Sequence, residues 1–268
     1  MPVDTGALAQ QLRRGMQPAA DSLGFELEVF GAGDAAAHQA AQVDSLVARR
    51  VAAVLIDPLP GSGVTAAIER ARRASVPVFT VIERGDGDQI VSHIGSDDRM
   101  GGELVGAYVA RRLQGGGNIV ILDQPGVATA REHVAGLRLA LSRSPNIRIV
   151  AMPAVEPASR AAARQKTATL FASDQRIDAV VGTSDELALG ALEAIRAAGA
   201  RDAFIVGVGA DPEALAAIRD GSALVADVMR DPLTIGRYAV LVAASHLRGN
   251  RVAPLVPVRM RLVDRDSL

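Results

Sequence analysis

Short runs rich in β-branched residues alternate with longer amphipathic stretches along almost the whole chain, and this alternation restricts the fold more than any other feature. The strand candidates are residues 25–30, 51–56, 76–82, 118–122, 147–152, 179–183, 203–208 and 223–229. Helix candidates lie between them at 8–23, 36–50, 64–75, 100–113, 130–142, 158–172, 186–198 and 234–247. In the last of these, Ile235, Ala239, Val242 and Ala243 recur at helical spacing. Gly24, Gly115, Gly199 and Gly249 follow helix candidates where a left-handed cap is wanted. Strand and helix in turn, joined by short loops, mean parallel sheets with helices on both faces. The chain has 268 residues, a length that two such sheets fit better than one. The expectation is α/β: two similar doubly wound parallel-sheet lobes joined by a three-strand hinge. The N-terminal lobe is expected to take residues 1–97 plus 231–257, and the C-terminal lobe 98–230 plus 258–268.

Composition removes several function classes. Lys and Arg number 29 against 30 Asp and Glu, for a formal net charge of -1, so there is no basic footprint for nucleic acid. No apolar run reaches the roughly 18 residues a membrane-spanning helix needs. Cysteine is absent, which excludes thiol catalysis, zinc–thiolate sites and disulfides. The four histidines, His38, His93, His133 and His246, show no metal-ligand spacing. No metal and no cofactor are expected.

Motifs that suggest chemistry fail on context. Gly31-Ala32-Gly33-Asp34-Ala35-Ala36 matches G-x-G-x-x-A, with Asp57 ending the next strand as a ribose-binding acid would. Asp34, however, would point negative charge at a pyrophosphate. Gly115-Gly116-Gly117 precedes a strand rather than a helix and reads as a turn. Asp86 and Asp88 lack the later ligands of a calcium loop. Ser184-Asp185 has no histidine nearby and no nucleophile elbow. Asp97-Asp98 reads as a helix N-cap and hinge contact, not as a catalytic pair.

The polar residues are more informative where they follow strands. Glu83 and Arg84 follow one strand candidate, Arg131 the loop after another, and Ser184, Asp185 and Arg230 two more. Open parallel sheets bind ligands outside the carboxyl ends of their strands. These groups therefore form the candidate ligand site.

The order of segments resembles the periplasmic sugar-binding proteins of ABC transporters, of the ribose/galactose type. Ser75-Val76-Pro77-Val78-Phe79-Thr80-Val81-Ile82-Glu83-Arg84 is similar to that family's PVV-x-IDR. Ile94-Gly95-Ser96-Asp97-Asp98 with Gly101-Gly102 resembles its GSDN…GG crossover, and Pro125-Gly126 with Arg131 and Gly136 its PG…R…G. Ile177-Asp178-Ala179-Val180-Val181-Gly182-Thr183-Ser184-Asp185-Glu186-Leu187-Ala188-Leu189-Gly190-Ala191 resembles IDAV…NDEMALGA. Asp211-Pro212-Glu213-Ala214-Leu215, Gly221, Asp231-Pro232 and Ile235-Gly236 resemble the closing segment, so the likeness covers the chain in order.

The resemblance implies two lobes that close over a sugar and present it to the membrane permease of an ABC transporter, with no catalysis. It implies a monomer in the periplasm or outside the cell. Arg84 and Arg131 keep family sugar-binding positions, and Glu83 stands where aspartate is usual. Ser184 replaces asparagine, Gly209 aspartate and Arg230 glutamine. The family's aromatic pair falls on Ala7 and Leu8, and its asparagine near Thr5. Asp97, Asp98, Asp231 and Pro257 fall at the hinge. Met1-Pro2-Val3 would be the tail of the family's first strand, so that strand and any signal peptide would lie upstream, in a truncated or late-starting chain. A lobe without its central strand leaves neighbouring strands unpaired and less stable.

The departures shift the candidate site towards positive charge, and arginine's planar fork suits carboxylate or phosphate. A sugar acid is therefore expected alongside a plain sugar. Pairing of Glu83 with Arg84 or Arg230 would instead keep the site near neutral. The alternative function is the effector-sensing domain of a lactose-repressor-type regulator, whose tail resembles Arg261-Leu262-Val263-Asp264-Arg265-Asp266-Ser267. The glycine match leaves a nucleotide-dependent enzyme as a third reading.

Overall fold

The computed structural model describes residues 7–31, 36–59, 63–84, 89–173, 175–200 and 202–268. In chain order its elements are α1 (Ala7–Leu23), α2 (Ala36–Ala48), β1 (Val54–Ile56), α3 (Val64–Arg73), β2 (Val78–Val81) and β3 (Ser92–Ser96). Then come α4 (Asp98–Arg112), β4 (Gly116–Leu122), α5 (Ala128–Leu141), β5 (Asn146–Ala151), α6 (Arg160–Phe171), β6 (Ala179–Gly182) and α7 (Asp185–Ala198). The remainder is β7 (Phe204–Gly209), α8 (Pro212–Arg219), β8 (Leu224–Met229), α9 (Pro232–Leu247), β9 (Leu255–Val258) and β10 (Arg261–Asp264).

The chain forms two compact units, Met1–Ser96 with Asp231–Val258 and Asp97–Arg230 with Arg259–Leu268. It passes between them three times, each time shortly after the carboxyl end of a strand: β3, β8 and β9.

The first unit holds a four-stranded sheet in the order β1-β2-β3-β9, parallel throughout. All of β2 is buried, with Phe79 and Val81 among α1 and α9, and Val78 among α2 and α3. This double burial is what β-branched runs in parallel sheets are for. The first and last helices of the unit approach closely because of glycine. A Cβ on Gly236 of α9 would overlap the backbone carbonyl of Leu12 in α1, and one on Gly15 that of Leu233.

The second unit holds six strands in the order β10-β8-β7-β6-β4-β5, with β10 alone antiparallel. Alternate residues of β4 feed opposite cores: Ile119 and Ile121 join α4 and α5, while Val120 and Leu122 join α6, α7 and α8. Fully burying each such aliphatic side chain contributes about 2–3 kcal/mol. Helix starts carry side-chain caps: Asp97 accepts from Met100 N–H, Ser159 from Ala162, Asp211 from Glu213 and Asp231 from Thr234. Gly24, Gly115, Gly199 and Gly249 all have positive φ.

Several expected strands differ. Residues 25–30 form no strand. Phe25, Leu27 and Val29 are half-buried and Glu26, Glu28 and Phe30 exposed, so the alternation is present, but the segment has no ladder partner among the described residues. The strand expected at 51–56 shortens to β1, which among the described residues pairs on one side only, with β2. Conversely, β3, β9 and β10 were not among the strand candidates. β3 is Ser-His-Ile-Gly-Ser, too polar to read as an apolar run, and β9 carries Pro257 on a sheet edge, where a missing N–H is tolerated.

Candidate functional site

In the second unit, the carboxyl ends of β6, β7 and β8 lie side by side and carry four of the candidate residues, Ser184, Asp185, Gly209 and Arg230. β6 leads through Thr183, whose hydroxyl donates to Leu122 O at 3.1 Å, into Ser184 at the N-cap of α7. The Ser184 hydroxyl does not cap the helix. Asp185 opens α7, and its Oδ2 accepts from Asp211 N–H at 2.7 Å. β7 ends at Gly209 with φ 141, followed by Ala210 with φ 63, an uncommon conformation for a residue with a side chain. Ala210 N–H donates to Asp227 Oδ1 of β8 at 3.0 Å.

Arg230 follows β8. Its Nη2 stands 3.6 Å from Asp98 Oδ1, and its Nε is buried without a partner. Arg131 lies in the first turns of α5, exposed, with Nη1 donating to Pro125 O at 3.0 Å. His133, one turn along α5, is fully buried; burial above all, and then the Arg230 charge, pulls its pKa down to about 4.

In the first unit, Glu83 and Arg84 follow β2, and the Glu83 backbone is held by a loop that sequence reasoning did not assign to the site. Glu83 N–H donates to Asp57 Oδ1 at 3.2 Å. Gln39, buried in α2, donates to Asp57 O at 2.7 Å and accepts from Leu59 N–H at 2.9 Å. Asp57 thus ties two strand-end loops together. Ile82, just before Glu83, has φ 59, a strained conformation for a β-branched residue. Beneath it His93 Nδ1 lies 2.9 Å from Thr80 Oγ1, and burial, followed by the Arg84 charge, holds the His93 pKa at about 4.

Among the remaining candidates, Leu8 sits half-exposed in the first turn of α1, while Thr5 lies outside the described residues. Asp97 caps α4, and Asp98 is buried beside Arg230. Asp231 caps α9 through Thr234 N–H at 2.9 Å and Thr234 Oγ1 at 2.6 Å. Pro257 pairs in register with Gly95. Residues 32–35 and 85–88, which carry most of the glycine match and the Asp86/Asp88 loop, lie outside the described residues. A cavity of about 930 Å³ opens at the amino ends of the second sheet, lined by Arg112, Asp178, Arg196, Phe204 and Ser222, and includes no candidate site residue. No group of three or more His, Asp or Glu side chains suited to a metal occurs among the described residues.

Sequence reasoning missed Asp227 and the Asp98–Arg230 pair. The first had a signal: an acid inside the otherwise apolar run Leu224-Val225-Ala226-Asp227-Val228-Met229 must find partners or a proton.

Residues 1–251 match the family model described as a periplasmic binding protein domain. The ribose import binding protein of Salmonella typhimurium is 32% identical over 253 residues, covering 94% of this chain and 84% of that protein. Its Escherichia coli K12 counterpart is also 32% identical, with the same coverage. Among solved structures, an ABC transporter solute-binding protein from Mycobacterium smegmatis with bound glycerol superposes with a TM-score of 0.82 at 30% identity, covering 98% of this chain and 92% of that one. A Bacillus halodurans solute-binding protein with bound myo-inositol gives 0.83 at 25% identity, covering 97% and 91%. With the two parallel sheets and the order of motifs, these matches mean that the chain belongs to the periplasmic-binding-protein family, in its type I fold.

Proposed function

We propose that the chain is a solute-binding protein that captures a sugar or sugar-like polyol and delivers it to the permease of an ABC transporter, working as a monomer in the periplasm and catalysing nothing. The observation that carries this reading is the placement of Glu83 and Arg84 in one unit, and Ser184, Asp185 and Arg230 in the other, at the carboxyl ends of parallel strands. Hydroxyls, carboxylates and arginine forks of this kind recognise vicinal hydroxyl groups. Relatives described as importing ribose, and structures holding myo-inositol or glycerol, support the same ligand class. Bending at Asp97-Asp98, at Asp231 and near Pro257 would accompany capture.

A sugar acid is the second reading, favoured by Arg230 and by glycine rather than an acid at 209. Asp98 beside Arg230 opposes it by meeting that charge locally. A thermal-shift screen with D-ribose, myo-inositol, xylitol, glycerol, D-galacturonate, ribose 5-phosphate and NAD separates the readings. Ligand at a thousand times its Kd adds about 4 kcal/mol and moves the midpoint by several degrees. Shifts with neutral sugars or polyols support the first reading, and shifts with acids alone the second. A response to NAD alone, or to nothing in a folded sample, overturns both.

A further inference from the structure

Two acids occupy the space that two glycines of β7 leave open. Asp227 of β8 pairs in register with Gly207. A Cβ on Gly207 would overlap Asp227 Oδ2 and lie 3.2 Å from Asp185 Oδ1, and a Cβ on Gly209 would overlap Asp185 Oδ2. Each acid uses one oxygen to hold the turn at 209–211: Asp227 Oδ1 accepts from Ala210 N–H, and Asp185 Oδ2 from Asp211 N–H. The two remaining oxygens, Asp185 Oδ1 and Asp227 Oδ2, are buried, border the same glycine, and receive no hydrogen bond from any other group. Two carboxylate oxygens buried against each other in this way are costly without a donor between them.

We propose that Asp185 and Asp227 hold one proton between them at neutral pH, and that this shared proton locks the 209–211 turn beside the ligand site. Burial raises both acids, Asp227 well above its ordinary value, and the Asp185 charge raises Asp227 further. The other charges facing the pair act on Asp185: the Asp211 carboxylate at the start of α8 raises it, and Arg230 at the end of β8 lowers it. Arg230 is itself engaged by Asp98 of α4 and acts on His133 of α5. Losing the proton would place two like charges against each other and push the turn's two acceptors apart.

The test needs no ligand, so it stands or falls separately from the proposed function. In Asp227→Asn, the side-chain oxygen still accepts from Ala210 N–H, and the amide donates to Asp185 Oδ1 without a titrating proton. Unfolding of the full chain and this variant is compared from pH 5.5 to 9, together with the infrared carbonyl band of protonated carboxyl groups and the exchange protection of the Ala210 and Asp211 amides. The expected result is a protonated-carboxyl band at pH 7 in the parent chain that the variant lacks. The ratio of the two unfolding constants grows by about tenfold per pH unit, in the variant's favour, until the proton is gone. Over the same range the two amides lose protection in the parent only. Parallel unfolding curves with no such band overturn the proposal. Asp185→Asn gives the same readouts if the first variant does not fold, because its oxygen still accepts from Asp211 N–H and its amide donates to Asp227.

Discussion

Arg230 points its Nη2 at Asp98 Oδ1 across 3.6 Å, with the two side chains only 22% and 9% exposed. Removing one charge from so sheltered a pair leaves the other without compensation. Asp98→Asn is expected to destabilise the chain by about 2 kcal/mol, less than for a fully buried pair because Arg230 keeps some solvent. It is also expected to shift ligand preference towards anions, since the Arg230 charge is then unmet. Urea unfolding and paired titrations with D-ribose and D-galacturonate check both, and an unchanged midpoint with an unchanged preference would show that the pair matters to neither.

The buried histidines set an acid limit. His93 and His133 both have folded-state pKa values near 4, below the value near 6.5 of an unfolded chain. The unfolded chain therefore takes up their protons first as pH falls, and stability is lost from about pH 6.5 down to about 4. The loss per histidine is up to about 3 kcal/mol. His133→Met, which fills the same apolar site without titrating, should flatten this part of the profile; an acid slope as steep as the parent's would exclude His133 from it.

Two kinds of glycine should respond differently to alanine. Gly102 of α4 lies where a Cβ would overlap the backbone carbonyl of His133 in α5, whereas Gly199, at φ 64, faces open space. Gly102→Ala must push two helices apart and is expected to cost about 3 kcal/mol. Gly199→Ala meets only backbone strain and should cost about 1 kcal/mol. Equal midpoints for the two variants in urea would contradict this reading of the α4–α5 contact.

The first unit should open more readily than the second. Among the described residues β1 is hydrogen-bonded on one side only, by β2, while β4, β6 and β7 of the second unit are each flanked by two strands. Amide exchange at Leu55 and Ile56 is expected to be faster than at Ile121 and Val206. Equal protection in both sheets would remove the distinction.

The alternation of β-branched and amphipathic segments made the α/β class legible, and glycine spacing made the left-handed helix ends legible, because both are local properties. What stayed hidden depends on neighbours. Residues 25–30 alternate like a strand, yet a strand exists only when another accepts its ladder. β3 and β9 look too polar or too proline-bearing to be strands until their pairing is seen. In the candidate site, Ser184 and Arg230 were readable from their place after strands. The Asp227 pairing with Gly207, and the grip of Asp57 on Glu83 N–H, join residues 20 and 26 positions apart, and no sequence period reports such contacts.

The packing of α1 against α9, with Gly15 and Gly236 at their backbone contacts, has a consequence for synthesis. As the chain emerges from the ribosome, the apolar face formed by Leu12, Met16, Ala19 and Ala20 must wait until residues 232–247 appear before it is covered. By then the second unit, continuous from 97 to 230, lacks only its edge strand β10. Non-local closure of this kind exposes apolar surface to chaperones and to wrong partners for as long as translation lasts. The α1 helix is thus covered only after all of the second unit except β10 has been made.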